Sequence, residues 1–74
     1  MPQALQQAIR LHRQGRLADA ERLYREALRG KARDFDALHM LGILKLQQDE
    51  PEEAARLFET ALDVDPRSAA AQSN

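Results

Sequence analysis

The chain contains one nine-residue phrase twice, as AERLYREAL at residues 20–28 and as AARLFETAL at residues 54–62. The whole chain has 74 residues, so the two copies lie almost half its length apart. An interval of this size predicts a protein built from structural repeats. Whether the chain is a repeat protein decides how each of its helices is interpreted, so the repeat is considered first. The positions that keep their residue type in both copies are Ala20/Ala54, Arg22/Arg56, Leu23/Leu57, Tyr24/Phe58, Ala27/Ala61 and Leu28/Leu62.

The composition predicts an all-α chain. Ala, Leu, Arg, Glu and Gln dominate, and these residues favour helices, whereas residues branched at the β-carbon are few. Cysteine is absent, so no disulfide or thiolate metal site is available. No apolar run approaches the roughly 18 residues of a membrane span, and the N-terminus lacks the apolar segment of a signal peptide. We therefore expect a soluble, cytoplasmic protein that does not contact a membrane.

Glycine and proline residues separate four segments whose apolar residues recur at helical spacing. We expect helices over about residues 3–13, 17–29, 35–48 and 52–63. Gly15 and Gly30 are expected to end the first two helices. Asp34 is the expected N-cap of the third, and Pro51 suits the first turn of the fourth. A short fifth helix is expected after Pro66.

A pair of helices that occurs twice, with small and aromatic residues at fixed positions, resembles the tetratricopeptide repeat (TPR), whose period is about 34 residues. The resemblance covers the whole chain and implies tandem antiparallel helix-turn-helix repeats, a TPR-type α-solenoid. Its units would be repeat one at residues 1–34, repeat two at 35–68 and a truncated third repeat at 69–74. The repeat-packing positions that match the family pattern are Ala8, Ala20, Tyr24, Ala27, Gly42, Ala54, Phe58, Ala61 and Pro66.

The residue types at these positions have a physical reason. Small residues let the two helices of a hairpin approach closely, and Tyr24 and Phe58 are expected to fill the gap to the next hairpin. Each hairpin alone leaves one face bare, so copies stack. Lys45 departs from the family, which has an aromatic residue or leucine there; we expect its stem to pack and its ammonium to reach water. A generic four-helix bundle is the alternative, and the fixed period disfavours it.

The two ends of the chain differ in kind. The first repeat is less typical, with polar Gln6 and Gln7 on its outer surface, as expected of an N-terminal cap. Residues 69–74 stop inside the first helix of a third repeat. We therefore expect the chain to be a fragment of a larger repeat protein, with an uncovered face at its C-terminal end.

The resemblance implies that the first helix of each repeat lines a concave surface on which ligand peptides lie. The positions expected there are Leu5, Ile9, His12, Arg13, His39, Met40, Ile43, Leu46 and Gln47. Such a surface is unusually apolar, and exposed apolar patches mark partner sites. It suits an amphipathic helix or an extended apolar peptide as partner. The alternative is homo-oligomerisation, in which a second copy fills the groove or covers the open C-terminal face.

No pattern in the sequence indicates catalysis, a cofactor or a metal. There is no glycine-rich phosphate loop and no nucleophile with a base at motif spacing. His12 and His39 have no third ligand nearby. The acids of DEPEE at residues 49–53 fit a solvated turn before a helix. We expect a protein that is not an enzyme.

Charge is unevenly distributed, although the net charge is only −1. Residues 1–34 carry eight basic and four acidic side chains, whereas residues 35–74 carry three basic and eight acidic ones. The arginines spread around two helices without interleaved aromatic residues, so we expect no nucleic-acid binding. The asymmetry instead favours contact between the basic end of one molecule and the acidic end of another, weakened by salt.

Overall fold

The structure is a computed structural model, and it describes residues 3–65 as a series of four α-helices joined by short turns. The helices are α1 (Gln3–Arg13), α2 (Leu17–Gly30), α3 (Phe35–Gln47) and α4 (Pro51–Val64). The all-α prediction is confirmed, and each expected helix end lies within one residue of the observed one. The expected fifth helix, the third repeat and Pro66 lie outside the described residues.

The turns follow from local chemistry that is visible in the sequence. The Asp34 side chain accepts a hydrogen bond from the backbone N–H of Ala37 at 3.3 Å, which satisfies one of the free N–H groups at the start of α3. Pro51 is the first residue of α4, where its missing N–H removes no helical hydrogen bond. Gly15 adopts a φ of +81° in the turn after α1, a conformation that a side chain would strain.

The helices pack as two hairpins stacked on each other. α1 packs on α2, α3 packs on α4, and α2 packs on α3 where the hairpins meet. The largest fully buried side chains are Tyr24, Leu41 and Leu44, which lie on α2 and α3. The core therefore runs through the junction between the hairpins, so neither hairpin buries its apolar face alone.

Small residues occupy the positions where helices approach closely. Ala8, Ala20 and Ala54 are 0% exposed. A β-carbon added to Gly42 would lie 2.6 Å from the Phe58 ring, closer than real contacts allow. The expected position of Phe58 was the gap to the next hairpin. Its ring lies over α3 of its own hairpin, where Gly42 has no side chain, and a following hairpin would lie outside the described residues.

Replacing Ala54 with leucine should overpack the second hairpin. Ala54 has no exposed surface, so the added atoms must displace neighbouring side chains or backbone, which lowers the free energy of unfolding by about 1–3 kcal/mol. Urea unfolding followed by circular dichroism measures the change. Ala55→Leu is the matched control, because Ala55 is the next residue of α4 and is exposed. Equal effects of the two variants would contradict the helix packing.

Candidate functional site

The surface formed by α1 and α3 is where the sequence predicts a partner. α1 also contacts α3 directly, so the first helices of the two repeats share one face. The groove surface, as we call it, consists of the expected residues that remain partly or fully exposed. Its members are Ile9, His12, Arg13, His39, Met40, Ile43, Leu46 and Gln47.

Apolar side chains at the groove surface differ in how much they present to solvent. Leu46 is 51% exposed and is the more exposed of the two large apolar residues on the surface of the described chain. Ile9 and Met40 are half-buried and also pack against the core. Ile43 is half-buried as well. A partner would therefore meet one protruding leucine, the half-buried Ile43, and two side chains, Ile9 and Met40, that already pack against the core.

The sequence-based prediction is wrong for Leu5. It was expected at the groove surface, but its side chain is only 2% exposed and belongs to the core cluster with Ala8 and Tyr24. α1 must bury one row of apolar residues against α2, and Leu5 lies on that row. Leu5 thus stabilises the first hairpin and is not available to a partner.

Two residues of the groove surface are joined across the repeats. His12 of α1 and Gln47 of α3 lie within hydrogen-bonding distance through Nε2 and Oε1. The Oε1 atom only accepts, so this contact requires His12 Nε2–H as donor. In neutral His12, Nδ1 is then the acceptor, and the Tyr24 hydroxyl donates to it at 2.9 Å. Burial raises the pKa of Tyr24 to about 12, so this hydroxyl keeps its proton over the physiological range.

The second histidine is held by aromatic neighbours. The ring of His39 lies 5.4 Å from that of Phe35 and 5.7 Å from that of Phe58, measured between centroids. The contact with Phe58 is edge-on, a favourable geometry for aromatic pairs. His39 is half-buried as a result. It contributes an aromatic edge to the groove surface rather than a freely moving side chain.

An open pocket on α1 adjoins the groove surface. It is lined by Gln6, Ile9, Arg10, Arg13 and Gln14, which recur at helical spacing on one side of the helix. The apolar Ile9 is therefore surrounded by amide and guanidinium groups. An apolar partner residue seated on Ile9 would have hydrogen-bond donors around it, and Arg13 would favour a nearby acidic group.

A charged cluster at the junction of the hairpins was not predicted. Lys45 was expected to extend its ammonium into water, but its side chain is only 6% exposed. Its Nζ lies 2.9 Å from a carboxylate oxygen of Glu21, 3.0 Å from Glu50 and 3.7 Å from Glu53. Arg25 bridges Glu21 and Glu53 at 2.9 Å each. The cluster therefore ties α2 to α3 and α4, because the ammonium finds its partners in the protein.

The pKa shifts in this cluster follow from its geometry. Burial alone would raise the pKa of Glu21, but hydrogen bonds from Lys45 and Arg25 outweigh it and lower the value. The hydrogen bond from Arg25 lowers the pKa of Glu53. Burial opposes the charge on Lys45, yet hydrogen bonds to Glu21 and Glu50 raise its pKa overall. Glu21, Glu53 and Lys45 are thus held in their charged forms at neutral pH.

Metal-ligand clusters and membrane-spanning helices are both absent from residues 3–65. This part of the chain has no group of three or more His, Cys, Asp or Glu side chains able to hold a metal ion. None of its helices is long and apolar enough to cross a membrane.

Stacked helical hairpins with a shared face of first helices define a helical-repeat protein of the protein-interaction class. A family model described as tetratricopeptide repeat matches residues 11–73, and the chain belongs to this family. The family recognition and the fold class predicted from the sequence are therefore confirmed. The tetratricopeptide repeat is a scaffold fold that mediates protein–protein interaction.

Bacterial relatives share the repeat at substantial identity. Cellulose synthase operon protein C of Komagataeibacter xylinus is 40% identical over 55 residues, which cover 74% of this chain and 4% of the relative. Cellulose synthase 2 operon protein C of the same organism is 48% identical over 52 residues, 70% of this chain and 4% of the relative. The chain thus spans only a small part of the length of these relatives.

Proposed function

We propose that the chain is a protein-interaction module that binds an amphipathic helix or an extended apolar peptide on its groove surface. The supporting observation is Leu46, a large apolar side chain that is 51% exposed beside the half-buried Ile43 on α3. Leaving such a side chain in water is unfavourable, and covering it on binding contributes affinity. Side chains already packed against the core lose little conformational freedom when a partner binds.

The ends of the groove surface set the chemistry of the partner. Arg13 is exposed near one end, and Gln47 is exposed where α1 and α3 meet. The expected partner has an apolar centre, which packs on the apolar residues of the groove surface, and an acidic flank, which pairs with Arg13. The proposal extends to a larger repeat protein of which these hairpins form a part, because the matched segment makes up only 4% of the relative.

Peptide selection on the immobilised chain tests the proposed function. We expect enriched peptides to carry apolar residues at helical or alternating spacing. Ile43→Asp should weaken their binding at least tenfold, because a carboxylate placed in an apolar contact loses hydration without gaining a partner. Circular dichroism should show unchanged helicity, since Ile43 is not part of the buried core.

A matched control keeps this test specific. Arg33→Gln lowers the net charge by one, as Ile43→Asp does, but in the exposed turn between α2 and α3, and it should leave peptide binding unchanged. Selected peptides that bind Ile43→Asp at full strength would contradict the proposed surface. A selection that enriches no peptide against the folded chain would contradict recognition of short segments altogether.

A further inference from the structure

The outer surfaces of α2 and α4 carry opposite charges at equivalent positions of the repeat. Arg25 and Arg29 of the first repeat correspond to Glu59 and Asp63 of the second. All four side chains are exposed. The positive charge on α2 is concentrated in one place. An open pocket on this helix is lined by four residues, and three of them are arginines. The same positions therefore form a basic strip on α2 and an acidic strip on α4.

Part of this charge is already neutralised by ion pairs within the chain. Arg25 is bound to Glu21 and Glu53, so it contributes little to an external contact. Neither Arg29 nor Asp63 takes part in an ion pair between described residues. The groove-surface residues lie on α1 and α3, whereas Arg29 and Asp63 lie on α2 and α4, so a contact through this pair does not use the groove-surface residues. Arg29 and Asp63 are the pair that a second molecule can neutralise.

We propose that two copies of the chain associate through the outer surfaces of α2 and α4, related by a two-fold axis that runs along these helices and between them. Such an axis places α2 of one copy against α4 of the other. A dimer of this kind needs opposite charges on the two helices, which is what Arg29 and Asp63 provide. Arg29 then meets Asp63 of the second copy, and the contact occurs twice because the interface is self-complementary.

The strength of this contact follows from its size. α2 and α4 have 14 residues each, so the paired helices offer a face about 21 Å long and about 20 Å wide. The face amounts to about 400 Å² per copy, about half of what stable specific complexes bury. Exposed ion pairs contribute little each and are screened by salt. Arg22 opposes Arg56 in this arrangement, which weakens it further. We therefore expect a weak dimer that forms at high protein concentration and low salt.

Sedimentation equilibrium of the whole chain against concentration and salt tests the proposal. At low salt the mass should rise toward twice the 8.4 kDa of the chain and stop there, and salt should return it to one copy. Arg29→Glu and Asp63→Arg should each weaken association at least tenfold, because each substitution creates two like-charge contacts. The double variant, and an equimolar mixture of the single variants, should restore association to within about twofold of the unmodified chain.

Two controls separate this contact from association through other surfaces. Arg33→Glu changes charge by the same amount away from the face and should leave association within about twofold. Ile43→Asp alters the groove surface and should also leave it unchanged, which distinguishes this dimer from a second copy filling the groove. A chain that stays monomeric at low salt and millimolar concentration would overturn the proposal. Association that is insensitive to the two charge reversals, or not rescued by combining them, would overturn it equally.

Discussion

Replacing Leu44 with alanine should lower the free energy of unfolding by about 2–5 kcal/mol. Leu44 is 0% exposed and lies in the core between the hairpins, so alanine removes buried contacts and leaves a cavity. A domain of this size has a total stability on the order of 5 kcal/mol, so a loss at the upper end of this range would leave a large share of molecules unfolded at 25 °C. Urea unfolding monitored by circular dichroism measures the loss.

Leu46→Ala is the matched control for this prediction. It removes the same atoms from the same helix two residues away, but Leu46 is 51% exposed. We expect it to cost less than about 1 kcal/mol, as exposed substitutions usually do. If the two variants lost equal stability, α3 would be rotated relative to the structure, and the groove surface would be assigned to the wrong face.

Replacing Lys45 with alanine should cost about 4 kcal/mol at pH 7. The buried stem contributes about 0.8 kcal/mol per methylene, and the lost charged hydrogen bonds contribute about 1–2 kcal/mol after allowance for carboxylates that remain partly in water. Lys45→Met keeps most of the stem and removes the charge, so it should show the electrostatic part alone. Thermal unfolding of both variants measures the two contributions.

The electrostatic part should depend on pH in a defined direction. The pKa values of Glu21 and Glu53 are lowered on folding, so their contribution is fully present above the unfolded value of 4.5 and is lost as the pH falls through the folded values. The pKa of Lys45 is raised, so its contribution is present below 10.5 and is lost at higher pH. The gap between Lys45→Met and the unmodified chain should therefore shrink in strong acid. A gap that stays constant down to about pH 2 would show that the cluster does not stabilise the junction.

The helices and their pairing could be predicted because local signals and the repeat agreed. Gly15, Asp34 and Pro51 each mark a helix end through backbone chemistry that acts over a few residues. The interval between the two copies of the phrase then supplied the long-range information that local signals lack. Because α3 carries apolar residues around most of its circumference, its periodicity did not decide which side faces the core.

The groove surface was only partly predictable for the same reason. Leu5 and Ile9 are equally apolar and one helical turn apart, yet Leu5 is buried while Ile9 is half-exposed. Their difference depends on where α2 crosses α1, which is a tertiary property. The Lys45 cluster was missed because it joins Glu21 to Glu53 across the hairpin junction. The available signal was a lysine at an otherwise apolar repeat position, followed by the acids Glu50 and Glu53.

The most direct test of the proposed function is an amide chemical-shift map of the labelled chain, recorded while a selected peptide is added. We expect the largest shifts on α1 and α3, centred on Ile43, Leu46 and Gln47. Shifts centred on the outer surfaces of α2 and α4 would contradict the proposed function, because the partner would then bind the charged strips and not the groove surface.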